Sequence, residues 1–148
     1  MTLLPPIPGW ESLHPLVVHF PIALLLTGFG VHVLRHLREG HEWLAPAETW
    51  LLWLGTGSLL VSLALGLLAE NAAPHVPAAW RVLRDHKSLA FWSGGLFVLL
   101  SLVARFAPNR HRSLFSVTWA VASGLLIVTA HHGAQLLFQF GMGVGSPS

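Results

Sequence analysis

The residues of this chain that could carry chemistry are its histidines. The sequence holds ten His and no Cys. The absence of Cys excludes disulfides, cysteine-ligated iron–sulfur clusters and the C-x-x-C-H attachment of c-type haem. A metal ion or a haem would therefore have to be held mainly by imidazole nitrogens. The chain shows no nucleophile–base triad, phosphate-binding glycine loop or glutamate-assisted metallohydrolase motif, so ligand binding is favoured over hydrolysis.

Five histidines are the candidate ligands, because they lie near the ends of apolar stretches that meet on one side of a membrane. His14 and His19 open the first apolar stretch, and His86 opens the third. His131 and His132 lie near the end of the fourth. An ionisable side chain inside a bilayer is costly unless it has a partner, so its presence there is a functional hypothesis by default.

The elements that position these histidines are membrane-spanning helices. Hydrophobic residues make up 53% of the 148 residues and charged residues only 9%, whereas a soluble domain has about 25% charged residues. Residues 12–34 carry no Asp, Glu, Lys or Arg, and this length crosses about 30 Å of hydrocarbon at about 1.5 Å per residue. The formal charge is only +2 and no basic stripe exists, so the expected partner is the lipid bilayer and not nucleic acid.

We predict one domain over residues 1–148, an all-α integral membrane four-helix bundle with up-down-up-down topology. Proline-containing or charged segments separate its helices, which we place at about 13–37, 47–69, 83–106 and 113–140. Pro21 should kink the first helix near residues 17–19, because a proline inside a helix removes a backbone hydrogen bond.

Small residues recur at helical spacing on each predicted helix. Such stripes let membrane helices approach closely, so we expect them to face the interior of the bundle. The stripes, one per helix, are His19, Ala23, Thr27 and Gly30; Gly55, Ser58, Ser62 and Gly66; His86, Ala90, Gly94 and Ser101; and Ser116, Ala120, Gly124, His131 and Gln135.

Opposed histidines at the ends of such faces are the arrangement that holds haem b in a helical bundle, because the iron takes one axial ligand on each side of the ring. The preferred ligands are His19, His86 and His131, followed by His14, with His132 the weakest candidate. One or two haems b are compatible with this set. Three cations on the same side would suit the haem propionates: Arg81, Arg84 and Lys87.

Two alternatives stay open. In the first, His14, His19, His86 and His131 bind copper or zinc, since imidazole suits both metals. Against it, no carboxylate joins these histidines, and the presence of only two Met argues against Cu(I) transport. The second alternative is a cofactor-free structural or assembly subunit of a larger membrane complex. In that case the histidines hydrogen-bond to one another or to backbone carbonyls, and Gln variants would leave assembly nearly intact.

The other five histidines are not candidates. Four lie in connections or at helix ends, where solvation accounts for them: His36, His41, His75 and His111. The fifth, His32, lies about 140° around the first helix from His19 and therefore off its small-residue stripe.

The arginines predict the orientation. Five lie on the side opposite the candidate ligands, namely Arg35, Arg38, Arg105, Arg110 and Arg112, against three cations on the histidine side. An excess of Arg in short loops marks the cytoplasmic side. The histidine-rich side and both termini are therefore expected to face outward.

Three segments carry a resemblance to a known family. Leu-His-Pro-Leu-Val-Val-His-Phe-Pro-Ile-Ala-Leu-Leu at 13–25, Asp-His-Lys-Ser-Leu-Ala at 85–90 and Ala-His-His-Gly-Ala at 130–134 resemble a bacterial four-helix membrane family catalogued as domain of unknown function 2231. Its relatives are similar to the membrane part of some planctomycete proteins that also carry cytochrome c domains.

This resemblance implies a bacterial membrane protein, and the cytochrome domains of the related proteins point to electron transfer. Together with the arginine distribution it leads us to expect an inner membrane protein with both termini in the periplasm. The expected partners are other membrane subunits and a cytochrome or quinone, within a respiratory or photosynthetic assembly. An electron-transfer or accessory subunit is favoured over a stand-alone enzyme.

Overall fold

The protein is a bundle of four membrane-spanning helices. The computed structural model describes residues 13–38, 40–72, 76–107 and 112–142. Within these residues 92% are helical and no strand occurs. Four spans are long and apolar enough to cross a membrane, namely Leu13–Leu37, Leu44–Asn71, Pro77–Phe106 and Arg112–Phe140. The predicted all-α, multi-pass membrane fold is confirmed.

Two spans begin earlier than the sequence predicted. The elements are α1 (Leu13–Val17), α2 (His19–Leu37), α3 (Leu44–Ala72), a 3₁₀ turn (Pro77–Ala79), α4 (Trp80–Phe106) and α5 (Arg112–Phe140). Helix α3 starts at Leu44 and not at 47, because Pro46 lies in the first turn, where a proline removes no helical hydrogen bond. Helix α4 starts at Trp80 and not at 83, as a continuation of the 3₁₀ turn.

The first span is broken near its start, as predicted from Pro21. Pro21 has no N–H to donate to the carbonyl of Val17, and the next bond, from Ile22 N–H to the Val18 carbonyl, is stretched to 3.5 Å. The helix is interrupted at Val18, which separates α1 from α2. The short α1 packs against α3, and this contact brings His14 to the bundle.

The helices pack in the order in which they follow one another. The most extensive contacts join α2 to α3 and α4 to α5, and smaller contacts join α3 to α4 and α2 to α5. The four spans therefore form two helical hairpins, α1–α3 and α4–α5, which close side by side into an up-down-up-down bundle.

Large apolar side chains fill the centre of the bundle. Leu25, Phe97 and Trp119 are completely buried, and Leu52 and Leu100 are nearly so. They form one continuous core with their neighbours. Packing among these side chains holds the two hairpins together, since lipid tails are as apolar as the core itself and give little hydrophobic drive.

The small-residue stripes of α3 and α4 face the interior, as predicted. Gly55 and Ser62 on α3 and Gly94 on α4 are buried. At Gly55 the backbone lies so close to α2 that an added Cβ would be 2.6 Å from Leu25 Cδ2.

For α2 and α5 the same prediction is wrong. Ala23 and Gly30 on α2, and Ala120 and Gly124 on α5, are exposed. These two helices turn their large residues inward instead, with Leu25 from α2 and Trp119 from α5 at the centre. The outward face of a membrane helix may carry small or large apolar residues, because lipid contacts both equally well.

We predict that Gly55→Ala destabilises the bundle by about 1–3 kcal/mol, because the new methyl group overpacks the buried Leu25. Gly57→Ala is the matched control two residues along the same helix, since an added Cβ there meets nothing within 4 Å. It should be neutral, or stabilise by up to about 1 kcal/mol through helix propensity. Unfolding in mixed micelles, followed by circular dichroism, measures both, and equal stability of the two variants would contradict the packing described.

Candidate functional site

Two of the five candidate histidines meet at one end of the bundle. His14 on α1 and His86 on α4 lie with their ring centroids 6.4 Å apart and their planes at 79°. We call them the His14–His86 pair. Since α1 belongs to one hairpin and α4 to the other, the pair bridges the two halves of the fold.

A backbone carbonyl orients each ring of the pair. His14 Nδ1 lies 2.9 Å from the Ser62 carbonyl oxygen on α3, and His86 Nδ1 lies 2.9 Å from the Thr129 carbonyl oxygen on α5. A carbonyl only accepts, so each Nδ1 carries the proton and donates it. On a neutral ring the lone pair is then on Nε2, and within the described ranges neither Nε2 makes a hydrogen bond. This is how histidine ligands of metals are held in proteins.

Two glycines make room for the rings. A Cβ at Gly66 on α3 would lie 2.9 Å from His14 Cε1, and one at Gly133 on α5 would lie 3.2 Å from His86 Cε1. Both helices therefore lack a side chain at the point where an imidazole packs against them. Gly133, which follows His131 and His132 in the sequence, therefore makes room for the His86 ring on the neighbouring helix.

A buried hydroxyl lies next to the pair. The carbonyl of Ser62 accepts from His14, yet Ser62 Oγ is buried and has no partner in the part of the chain that the structure describes. Buried polar atoms are nearly always hydrogen-bonded. The Ser62 hydroxyl is therefore an unsatisfied polar group beside the residue whose carbonyl orients His14.

The cations on this side are only partly engaged. Lys87 Nζ donates to both carboxylate oxygens of Glu70, at 2.6 and 2.9 Å. Arg84 is highly exposed and lies 3.9 Å from Asp85, and Arg81 is exposed as well. Lys87 therefore joins α4 to α3 next to the pair, while the two arginines face the membrane surface.

Two of the remaining candidates, His19 and His131, lie apart from the pair. His19 is exposed and makes no hydrogen bond, ion pair or ring contact within the described residues. His131 is exposed, and among the described residues its ring contacts that of His132, at 5.9 Å. His132 is nearer to the pair, since it precedes Gly133, which packs against His86. His132 Nδ1 is bonded to the Val128 carbonyl of its own helix. His19 and His131 belong to the stripes of α2 and α5, which face outward, so the bundle does not bring them to the pair.

The described residues contain no group of three or more His, Cys, Asp or Glu side chains that could hold one metal ion. These residues are 13–38, 40–72, 76–107 and 112–142. His75 and His111 lie outside these ranges. The arrangement at this end of the bundle is thus a set of two nitrogen donors.

A second polar group is buried at the opposite end, around His32. His32 is 3% exposed. Its Nδ1 lies 3.0 Å from Glu48 Oε1 on α3, and its Nε2 lies 2.7 Å from Ser116 Oγ on α5. Arg35 donates from Nη1 to Glu48 Oε2 at 2.9 Å. We call these four residues the His32–Glu48 cluster.

Aromatic rings enclose the His32 imidazole. The ring centroids of His36, Trp119 and Phe115 lie 4.5, 5.2 and 5.6 Å away, and Phe29 stacks at 6.4 Å. The carboxylate of Glu48 is buried with it at 3% exposure. A carboxylate in such surroundings needs cationic and hydrogen-bonding partners, and Arg35 and His32 supply them.

The sequence did not point to this cluster. His32 lies off the small-residue stripe of its helix, and Glu48 belongs to no motif in the sequence. One signal was available: His32 and Arg35 are three residues apart on one helix face, and Glu48 opens the next helix after a short connection. A carboxylate so placed is within reach of both.

We predict that Glu48→Gln destabilises the protein by about 1.5–3 kcal/mol, because it replaces the buried carboxylate that accepts from His32 and Arg35 with a neutral amide. Glu70→Gln on the same helix is the matched control. Its partner Lys87 and Glu70 itself are 41% and 33% exposed, so this loss should stay below about 1 kcal/mol. The two midpoints of denaturant unfolding test the difference, and a Glu48→Gln protein as stable as Glu70→Gln would show that the buried pair contributes little.

Comparison with known proteins gave one match. The family model described as "Predicted membrane protein (DUF2231)" matches residues 11–146. No curated protein and no solved structure matches the chain.

Proposed function

The chain belongs to the DUF2231 family of predicted membrane proteins, as its motifs indicated, and from this premise we propose that it is a membrane b-type cytochrome-like electron-transfer subunit. In this proposal His14 and His86 hold one haem b. The observation that carries the proposal is the His14–His86 pair itself, two imidazoles from separate hairpins with both Nδ1 atoms engaged and both Nε2 atoms available.

The number of donors favours haem over zinc. A mononuclear zinc site takes three or four protein ligands, whereas haem iron needs only two from the protein because the macrocycle supplies the others.

The residues around the pair have distinct roles in this proposal. A haem b bound here would supply reversible one-electron transfer at its iron. The carbonyls of Ser62 and Thr129 fix the tautomer and direction of the two rings. The Ser62 hydroxyl offers a hydrogen bond to a bound group or water, and Arg81 and Arg84 suit the propionates. A single haem is proposed, since His19 and His131 face outward.

The orientation follows from the arginines. Arg35, Arg38, Arg105 and Arg112 lie at the end of the bundle opposite the His14–His86 pair, and short Arg-rich loops stay in the cytoplasm. We therefore place the pair near the periplasmic face of a bacterial inner membrane, with both termini outside. A soluble cytochrome, a quinone or another membrane subunit could exchange electrons there.

We predict that the protein purified from haem-replete cells shows a Soret band, and that His14→Gln and His86→Gln each reduce haem content at least about tenfold, because each removes one of the two residues that would hold the haem. His19→Gln and His131→Gln are the matched controls and should keep the band. Absorption spectra normalised to protein, with circular dichroism as a check of folding, give the answer. No Soret band in the wild type would overturn the proposal, and loss of the band only in the two controls would move the ligands to His19 and His131.

One observation favours a second candidate, the cofactor-free structural subunit. Both rings of the pair already bond to carbonyls on neighbouring helices, which is what a structural histidine would do. In that case the wild type lacks haem, and His14→Gln and His86→Gln keep near-normal stability, since the Gln amide can still donate to the same carbonyl. The spectra and the stability of these variants separate the two candidates.

We predict that alkaline phosphatase fused after Ser148 is active and that the same enzyme inserted after Gly40 is inactive, because the second position lies in the Arg-containing connection. A cytoplasmic fluorescent reporter at the two positions serves as the reciprocal control. The reverse pattern would place the His14–His86 pair on the cytoplasmic side.

A further inference from the structure

We propose that His32 binds and releases a proton, and that the hydroxyl of Ser116 rotates to satisfy both states of the ring. This site is distinct from the His14–His86 pair and does not depend on haem. The proposal rests on the hydrogen bonds of the His32–Glu48 cluster, which the sequence analysis had left without a role.

In the neutral state every polar atom of the ring has a partner. His32 Nδ1 donates to Glu48 Oε1 at 3.0 Å, since an ionised carboxylate can only accept. Nε2 then carries the lone pair and accepts from the Ser116 hydroxyl, 2.7 Å away. Glu48 is balanced by Arg35, which donates to its other oxygen.

In the protonated state the partners are the same, and one hydroxyl has turned. Nε2 now donates to Ser116 Oγ, and Ser116 donates in turn to the carbonyl oxygen of Arg112, which lies 2.9 Å from its Oγ. Nδ1 still donates to Glu48. Neither state leaves a buried polar atom of the ring unpaired, so protonation costs the ring no hydrogen bond.

The charged and titratable groups around the ring come from three helices. Arg35 and His36 lie on α2, and Glu48 lies on α3. Arg112 is the first residue of α5, and its carbonyl accepts from the Ser116 hydroxyl. His36 Nδ1 donates to the His32 carbonyl at 2.8 Å. The buried carboxylate of Glu48 therefore faces one fixed cation, Arg35, and the His32 imidazole. A proton on His32 adds one positive charge beside Glu48.

The site opens toward the Arg-rich end of the bundle. The side chain of Arg35 is 41% exposed, and the exposed His36 ring lies tilted against His32 with a centroid distance of 4.5 Å. In the other direction the buried Leu25, Phe97 and Leu126 separate His32 from the His14–His86 pair. Proton exchange is therefore expected with the Arg-rich face.

Nitrogen-15 NMR of histidine-labelled protein in nanodiscs tests the proposal, with the His32 signals assigned from His32→Gln. In the wild type the His32 ring should pass once between the neutral and imidazolium forms over the pH range in which the bundle stays folded. In Ser116→Ala the ratio of imidazolium to neutral ring at the wild-type midpoint should fall about five- to tenfold, because a hydrogen bond to the charged ring is worth more than one to the neutral ring. Ser116→Thr, which keeps the hydroxyl, should restore wild-type behaviour.

Thr118→Val is the matched control on the same helix. Thr118 also donates to the carbonyl four residues before it, that of Leu114, but it contacts no histidine, so its loss should leave the His32 titration unchanged. A His32 ring that keeps one protonation state across the whole range would overturn the proposal. So would a Ser116→Ala protein that titrates like Thr118→Val.

Discussion

A polar group in hydrocarbon has to find its partner within the protein, because no water is there to supply one. This constraint accounts for most of the structure. The backbone is satisfied by helices, and the interruption at Val18 lies near the start of the first span. Each buried side-chain charge or imidazole is matched by an atom of another helix. His14, His86 and His32 all follow this rule, as does Glu48.

The sequence predicted the elements well because their signals are local. Apolar length identifies the four spans, and the missing N–H of Pro21 locates the break near Val18. The rotation of each helix about its axis was predicted less well. Small residues mark the inward face of α3 and α4, but α2 and α5 turn Leu25 and Trp119 inward instead. The inward face of a helix depends on how its side chains pack against those of the neighbouring helices, and the sequence of one helix alone does not specify this.

The same limit explains which site residues were found. His14 and His86 were among the candidates, and His86 lies on an inward stripe. His19 and His131 were preferred because they lie on stripes that prove to face outward. His32 was missed because its partners lie 16 and 84 residues away in the sequence. Pairings over such distances become visible only when the packing of the bundle is known.

The division of the bundle into two hairpins has a consequence for how its chemistry comes into being. The first hairpin carries His14 already oriented by its own Ser62, and the second carries His86 already oriented by its own Thr129. His32 likewise has Glu48 within its hairpin and receives Ser116 from the other. Each hairpin therefore orients its own histidines. The His14–His86 pair and the His32–Glu48 cluster become complete only where the two hairpins meet. Any ligand bound by both His14 and His86 would therefore hold the two hairpins together, because its binding free energy adds to that of their association.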